Sequence, residues 1–369
     1  MFRLVIPLVV IALSACTPRA TLDVVEAPDG VGTRSTVFVG TTRGSLTGAP
    51  PESYARDDLS YAQFEVSIPP THTPGKINLP GRETPDPNRH FVITDSELDM
   101  PQPEFRKALA RAFRKEQGHG ILYVHGFNNV AADGVNRIAQ MHNDIGINGV
   151  LMSYSWPSAG SPVGYAHDRD SALFARDGLA EMITTAGKSG GRKIILVAHS
   201  MGTLLTMEAL RTLALQGRDD VLDHLAAVIL IAPDIDVDVF KAQAKAIGDL
   251  PEPFVIFTSD EDRALRLSAL LSGQTNRLGT LEDVEAVEDL EVALLDVSQF
   301  NSDSKSSHFI FGSSPRLLRL LSSLGDLDAA FQQGAAVRIG LLPGTVLTVR
   351  RGTQVILFPN ASPDGAAEP

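Results

Sequence analysis

Apolar runs of four residues recur along the middle of the chain, and segments of helical periodicity separate them. Two of these runs are Ile121–Val124 and Ile194–Val197, and two more are Val228–Ile231 and Phe254–Phe257. A strand whose successive residues are all apolar is typical of a parallel sheet that is covered on both faces. The alternation of such strands with helices therefore predicts an α/β fold.

The whole pattern predicts a mostly parallel central sheet of about eight strands, with helices on both faces. Residues 69–90 contain six prolines and are predicted to be irregular. The predicted strands cover residues 37–39, 63–68, 120–124, 149–154, 193–198, 226–232, 253–258 and 291–297. The predicted helices cover residues 104–114, 131–144, 168–186, 201–215, 237–247, 262–271 and 314–323.

Charge and hydropathy exclude two classes of protein. The 369 residues carry a formal net charge of −12, and the isoelectric point is about 5.2. An acidic chain without a basic run repels the phosphate backbone, so nucleic acid is not expected as a partner. After the N-terminus there is no apolar stretch of about 18 residues, so no internal membrane span is expected.

The N-terminus carries the pattern of an export signal. One positive charge, at Arg3, precedes the apolar run Leu4–Leu13, which is too short to span a bilayer but suits the core of a signal peptide. The sequence Leu-Ser-Ala-Cys that ends at Cys16 resembles the bacterial lipobox, in which cleavage precedes a cysteine that becomes lipidated. Cys16 is the only cysteine of the chain, so an internal disulfide is excluded. The alternative is an ordinary secretory signal with an incidental cysteine.

These features divide the chain into four segments. We predict a lipoprotein signal peptide at residues 1–15, a tether at 16–33, a folded domain at 34–330, and an extension at 331–369 with short strands and a flexible tail. The resemblance to lipoproteins implies a lipid-anchored protein of the bacterial cell envelope. Thr17 follows the cysteine where an aspartate would favour the inner membrane, which implies an outer-membrane location facing the periplasm.

The strongest chemical motif is the sequence IILVAHSMG, which ends at Gly202. An apolar strand is followed by a small residue, His199, Ser200, Met201 and the glycine, and then by a helical pattern. A sharp strand-to-helix turn of this kind lifts a nucleophilic serine above the sheet edge, and small residues are needed two positions on either side of the serine. The usual first glycine is here Ala198, which is still small. An ordinary serine in a loop is the alternative.

A serine nucleophile needs a base, and the base needs an orienting acid. In proteins with a strand-to-helix elbow of this kind, the order along the chain is serine, acid, histidine. The turn after Phe254–Thr258 contains Asp260 and Asp262, and either could be the acid; Asp262 could instead only cap the next helix. Of the nine histidines, only His308 follows this turn, so His308 is the predicted base.

Backbone N–H groups are expected to stabilise the negative oxygen of the tetrahedral intermediate. One donor is predicted to be the amide of Met201, at the N-terminus of a helix whose dipole favours an anion. The second is predicted in the loop His125-Gly126-Phe127-Asn128, with the amide of Phe127 preferred and that of Asn128 second. A plain β-turn is the alternative for this loop.

Together, five segments resemble the α/β-hydrolase superfamily, and most closely a bacterial group of esterase- and lipase-like proteins of undefined function. The resemblance covers about residues 34–325 and implies a serine hydrolase with no metal and no organic cofactor. Its Ser-x-x-Asp pattern favours Asp262 as the acid over Asp260, and Asp234 is held in reserve. The five segments are HGFNN from His125, SYSWPSAG from Ser153, AHSMGT from Ala198, APDID from Ala232 and SDEDRAL from Ser259.

The resemblance implies a carboxylic ester as substrate, either a small molecule or a lipid. The same residues would serve a thioesterase or an acyltransferase, and a catalytically silent envelope lipoprotein that uses the fold for binding is the other alternative. Apart from the membrane reached through Cys16, no partner is predicted, and the sequence does not determine the oligomeric state. Trp156, the only tryptophan, could line the substrate cleft or pack in the core. A calcium loop at Asp234-x-Asp236-x-Asp238 is excluded, because Val239 stands where that loop needs glycine.

Overall fold

In the described part of the chain, ten strands form one mixed sheet. The computed structural model describes residues 19–116, 119–146, 148–190, 193–258, 277–280, 287, 290–296 and 354–355. The strands are β1 (Thr33–Arg43), β2 (Arg56–Ile68), β3 (Val92–Glu97), β4 (His119–Val124), β5 (Gly149–Ser155), β6 (Ile194–His199), β7 (Leu225–Ile231), β8 (Phe254–Thr258), β9 (Ala293–Asp296) and β10 (Gln354–Val355). Their order across the sheet is β10-β9-β8-β7-β6-β4-β5-β1-β2-β3. All neighbouring pairs are parallel except β1 with β2 and β2 with β3.

Helices follow most of the parallel strands and return the chain to the opposite edge of the sheet. The helices are α1 (Gln102–Glu116), α2 (Ala131–Ile145), α3 (Tyr165–Phe174), α4 (Arg176–Gly187), α5 (Met201–Leu215), α6 (Asp219–Leu222) and α7 (Val237–Ile247). None of the helices in the described part of the chain has both the length and the apolar composition that a bilayer span requires.

Two apolar layers bury the two faces of the sheet. Along β4, Leu122 and Val124 belong to one layer, which also contains Phe105 of α1, whereas Ile121 and Tyr123 belong to the other. This alternation follows from the two-residue period of a strand. Because both layers are apolar, β4 is apolar at successive positions, as the sequence pattern indicates.

The topology marks one place where a crevice forms. From β4 the chain moves to β5 on one side, and it later returns to β6 on the other side of β4. In open α/β sheets, ligands bind beyond the carboxyl ends of the strands at such a switch point. The loop that follows β4 and the turn that follows β6 lie side by side at this switch point, and they carry His125 to Asn128 and Ser200.

The predicted fold class is confirmed, and the described residues alone contain ten strands where about eight were expected. Strand β3 was not predicted, and the predicted helix at 168–186 is two helices, α3 and α4, that meet at Ala175. The hydroxyl of Tyr154 donates a 2.8 Å hydrogen bond to the carbonyl of Ala175, a contact between distant parts of the chain. The predicted helices at 262–271 and 314–323 lie outside the described residues, as does nearly all of the extension at 331–369.

The segment predicted as a tether is, in its described part, packed against the domain. Ala20 and Leu22 are buried in the same apolar layer as Phe64 and Ile93. Next to them, the amide of Val25 donates a 2.7 Å hydrogen bond to the carbonyl of Ile93 in β3. Ala20 and Leu22 therefore contribute to the core, although they lie in the segment predicted to be a tether.

Candidate active site

Ser200 lies in the sharp turn between β6 and α5, as the motif predicts. Its backbone has φ 52° and ψ −127°, a combination that L-residues rarely adopt and that costs about 1–3 kcal/mol. The turn is held on both sides, because the amide of Ser200 donates to the carbonyl of Ile231 at 3.0 Å and its own carbonyl accepts from the amide of Thr203 at 2.9 Å. The side chain of Thr203 adds a 2.6 Å hydrogen bond to the same carbonyl. Such a turn is the geometry of a nucleophile elbow.

Two glycines let the backbone pack tightly around the elbow. A Cβ atom on Gly202 would lie 2.4 Å from the carbonyl oxygen of His125, and one on Gly126 would lie 2.8 Å from the Cβ of Ser200. Neither position can hold a side chain without moving the backbone. Ala198, which replaces the usual first glycine of the motif, is fully buried within β6 and is accommodated there.

The loop after β4 holds the predicted oxyanion donors next to Ser200. The amide of Asn128 donates to Oδ2 of Asp168 at 3.2 Å, so this donor is already engaged. The carbonyl of Phe127 accepts from the side chain of Asn129 at 2.8 Å, which fixes the peptide that follows Phe127. Met201 is the first residue of α5, so its amide has no carbonyl partner within the helix. The amide of Asn128 is thus committed to Asp168, and Phe127 stays the predicted second donor.

Three non-glycine residues at this edge of the sheet have positive φ angles. Besides Ser200, Asn128 has φ 59° in the loop after β4 and Ala232 has φ 46° directly after β7. The three residues follow three strands that are adjacent in the sheet, β4, β6 and β7. Strained non-glycine residues persist only where the surrounding structure holds them, and they cluster at functional sites.

Two buried charged residues fix the loops around the elbow. The Nε of Arg43 donates to the hydroxyl of Ser155 at 2.9 Å, and its Nη atoms donate to the carbonyls of Ser158 at 3.0 Å and Asn129 at 3.0 Å. Burial lowers the pKa of Arg43 to about 10, and the charge of Asp168 opposes that shift. Arg43 thus joins the loop after β4 to the loop after β5.

Asp168, at the start of α3, is the acidic counterpart of Arg43. Its carboxylate is fully buried and accepts from the hydroxyl of Ser158 at 2.6 Å and from the amide of Ala159 at 2.7 Å. Together with the bond from Asn128, these contacts hold both loops against α3.

Trp156 and His125 form a stacked pair beneath the site. Their ring centroids lie 5.0 Å apart with the planes at 13°, and the indole N–H donates to the carbonyl of His125 at 2.7 Å. Trp156 is fully buried, so it packs in the core and does not line a cleft. Burial and the nearby charge of Arg43 lower the pKa of His125 to about 3, so the ring is neutral in ordinary buffers.

The reserve acid, Asp234, lies in the loop after β7 and is buried. Its amide lies 3.4 Å from the carbonyl of Ser200, which places it beside the elbow. The hydroxyl of Tyr165 donates to Oδ2 of Asp234 at 3.0 Å, and the Nε of Arg277 lies 3.4 Å from Oδ1. The ring of Tyr165 also packs edge-on against Phe127 at 5.5 Å between centroids, so this cluster contacts the oxyanion loop.

Four of the predicted site residues therefore lie together at the carboxyl edge of the sheet, namely Ser200, Met201, Phe127 and Asp234. The other predicted residues lie outside the described part of the chain. They are the lipidation residue Cys16, the candidate acids Asp260 and Asp262, and the candidate base His308. Among the residues that the structure does describe, no three His, Cys, Asp or Glu side chains are close enough to hold a metal ion.

Sequence reasoning missed Arg43, Asp168, Tyr165 and Arg277. Of these, only Arg43 had a signal in the sequence, which is its position at the end of a strand. Arg43 ends β1, which is parallel to β5, so it lies at the carboxyl edge of the sheet where the site forms. Asp168 stands where the sequence predicts the first residue of a helix, which is an ordinary place for an aspartate.

The sheet order, the elbow and the loop after β4 define an α/β hydrolase. The model of the family described as α/β hydrolase of unknown function (DUF900) matches residues 102–324. That match covers more than half of the chain, and the protein belongs to this family.

Similar folds occur among solved structures of esterases and lipases, all at low identity. Lipase B of Aspergillus fumigatus is 13% identical with a TM-score of 0.40, and the match covers 58% of this chain and 53% of that one. The chain thus spans about half the length of this lipase. An esterase of Rhizomucor miehei is 10% identical with a TM-score of 0.34, over 82% of this chain and 86% of that one. An esterase of Pyrobaculum calidifontis is 11% identical with a TM-score of 0.32, over 75% and 82%. No curated protein sequence matches the chain.

Proposed function

We propose that the protein is a serine hydrolase that cleaves carboxylic esters through Ser200. The observation that carries the proposal is the strained backbone of Ser200 at φ 52°, in a turn between a buried strand and a helix N-terminus. The strained serine lies at the switch point of the sheet, and ligands bind at such a point in open α/β sheets. Membership of an α/β hydrolase family supports the same conclusion.

The proposed reaction has two steps. His308 accepts the hydroxyl proton of Ser200 while the serine oxygen forms a bond to the ester carbonyl carbon, and the amides of Phe127 and Met201 hold the resulting oxyanion. The ester C–O bond then breaks, and the alcohol leaves with the proton from His308. A water molecule, deprotonated by His308, attacks the acyl-enzyme, and the acid is released as Ser200 regains its proton. Asp262 orients His308.

Two other functions would use the same residues or the same fold. A thioesterase or an acyltransferase would form the same acyl-enzyme, and an alcohol would replace water in the acyltransferase. A silent binding protein would retain the fold without the chemistry. The order of Ser200, Asp262 and His308 along the chain favours an enzyme, because a binding scaffold has no use for all three.

A fluorophosphonate probe separates an enzyme from a silent scaffold. We expect the folded protein to be labelled at Ser200, because an activated serine attacks phosphorus as it attacks an ester carbonyl. Mass spectrometry of the labelled peptide locates the adduct. Labelling is expected to disappear after denaturation and in Ser200→Ala. A folded protein that takes up no probe, or an adduct that survives Ser200→Ala, would contradict the proposal.

The orienting acid is identified by comparing three asparagine variants. We expect Asp262→Asn to lower kcat for p-nitrophenyl ester hydrolysis by about 10⁴-fold, because the histidine loses its orientation and its stabilising charge. Asp260→Asn and Asp234→Asn serve as matched controls, and each should retain most of kcat. If Asp262→Asn is near wild type while Asp234→Asn is inactive, the acid is Asp234, which already lies beside Ser200.

We further propose that the protein is a lipoprotein of the bacterial envelope, anchored through Cys16. The support is the short apolar run Leu4–Leu13 and the position of the only cysteine directly after Leu-Ser-Ala. A multiply acylated cysteine anchors firmly, because each buried methylene contributes about 0.8 kcal/mol.

A further inference from the structure

The first residue that the structure describes, Arg19, lies beside the active site. The guanidinium of Arg19 donates to the carbonyl of Asn128 at 3.0 Å and to the side-chain oxygen of Asn128 at 2.6 Å. It also lies 3.6 Å from the carboxylate of Asp133, at the start of α2. Asn128 belongs to the loop that carries Phe127, so the N-terminal segment is fastened to the oxyanion loop itself.

Little free chain separates this contact from the predicted anchor. Directly after Arg19, the side chains of Ala20 and Leu22 are buried, so the chain is attached to the domain from this point. Cys16 precedes Arg19 by three positions, and three residues span at most about 11 Å when fully extended. A lipid on Cys16 would therefore be held within about 11 Å of the Arg19 backbone, and the side chain of Arg19 reaches from there to the loop beside Ser200.

An apolar side chain projects from the same edge of the sheet. Val163, in the loop between β5 and α3, is 88% exposed, the largest exposure among the large apolar residues of the described chain that project into solvent. Its loop is not loose, because Asp168 binds the hydroxyl of Ser158 and the amide of Ala159 a few residues earlier. The backbone of Gly160 packs near Arg19, since a Cβ there would lie 3.5 Å from Nη1. Val163 and the N-terminal attachment therefore belong to one face.

We propose that this face, the carboxyl edge of the sheet, lies against the lipid bilayer, and that Ser200 acts on acyl esters that reside in the membrane. The ester bonds of membrane lipids lie at the boundary between headgroups and acyl chains. The short segment between a lipidated Cys16 and Arg19 would hold the active site near that boundary. Charge does not bring the protein there, because a chain with a net charge of −12 is repelled by anionic lipids. The proposal rests on the lipidation of Cys16 and on the hydrolase activity proposed above.

The orientation is tested without catalysis by a fluorescent reporter. The full-length lipidated protein is prepared as Val163→Cys and, as a matched control, as Leu215→Cys, each labelled with an environment-sensitive dye. Leu215 is 63% exposed and ends α5, which begins at the site and carries the chain to the opposite edge. On phosphatidylcholine vesicles we expect the dye at position 163 to brighten severalfold and to shift to shorter wavelength, with no change at 215. Equal spectra at the two positions would overturn the proposed orientation.

The substrate class is tested by lengthening the segment between Cys16 and Arg19. A flexible Gly/Ser spacer of about 20 residues after Thr17 should lower hydrolysis of a vesicle-embedded long-chain fluorogenic ester by about tenfold, because the effective concentration falls with linker length. Hydrolysis of soluble p-nitrophenyl acetate should not change. An unchanged rate on the embedded ester contradicts the membrane proposal.

Two further outcomes separate failure of this proposal from failure of the proposed function. Hydrolysis of neither ester, together with the expected dye response at position 163, would overturn the esterase while the orientation stands. An unmodified Cys16 in the mature protein, or a Cys16→Ser protein that stays on the vesicles, would overturn the anchor and with it the orientation.

Discussion

Replacement of Ser200 by alanine is expected to lower kcat for p-nitrophenyl ester hydrolysis by about 10⁶-fold, because the acyl-enzyme can no longer form. The residual rate should still exceed that of water by about 10³-fold, since the amides of Phe127 and Met201 continue to stabilise the oxyanion. The free energy of unfolding should change little, because the strain at φ 52° is a property of the backbone that alanine shares.

The control for this prediction is Ser153→Ala. Ser153 is a fully buried serine in β5 and is not in an elbow, so its replacement should leave kcat within about threefold of wild type. Steady-state kinetics and chemical denaturation of the two variants and the wild type make the comparison. A Ser200→Ala protein that retains more than about a hundredth of kcat would show that another group is the nucleophile.

Asp168→Ala is expected to be the most destabilising of the substitutions considered, with a loss of about 3–5 kcal/mol of the free energy of unfolding. The change leaves the hydroxyl of Ser158 and the amides of Ala159 and Asn128 without an acceptor in a fully buried place. It also removes a charge that opposes the burial-induced lowering of the Arg43 pKa. Since domains are stable by only about 5–15 kcal/mol, the variant should be close to unfolding at physiological temperature.

Asp170→Ala is the matched control for this loss. Asp170 stands two positions later on the same helix, α3, and is exposed. Its removal should change the free energy of unfolding by less than about 0.5 kcal/mol. Urea denaturation measures both variants, and a third, Asp168→Asn, should fall between them because its amide oxygen can still accept one of the bonds. Equal stability of Asp168→Ala and Asp170→Ala would mean that Asp168 does not hold the loops.

The fold was predictable because its signals are local. Each central strand is a short apolar run that both layers of the core require, and the elbow needs only a strand, a small residue, a serine and a glycine in succession. Strand β3 was missed because only its first two residues, Val92 and Ile93, are buried, and the remaining four are polar or half-exposed. A strand at the end of the sheet needs little apolar sequence to form.

The supports of the site could not be predicted, because they depend on contacts between distant residues. Arg43 binds Ser155 and Ser158, which lie 112 and 115 positions away along the chain. Tyr165 reaches Asp234 across 69 positions. Each of these residues is ordinary in its local sequence, and its role appears only when the sheet brings the carboxyl ends of β1, β4, β5, β6 and β7 to one edge.

The segment that follows Arg19 has a second effect, on the outer edge of the sheet. Strand β3 is last in the strand order, and an unpaired edge strand is a template for pairing with another chain. Val24 forms a parallel bridge to Ile93, and the amide of Val25 occupies the carbonyl of Ile93. Proteins anchored in one membrane meet at high local concentration, where exposed edges promote aggregation. Val24 and Val25 therefore cover the outer side of β3 at Ile93, where a neighbouring copy could otherwise pair.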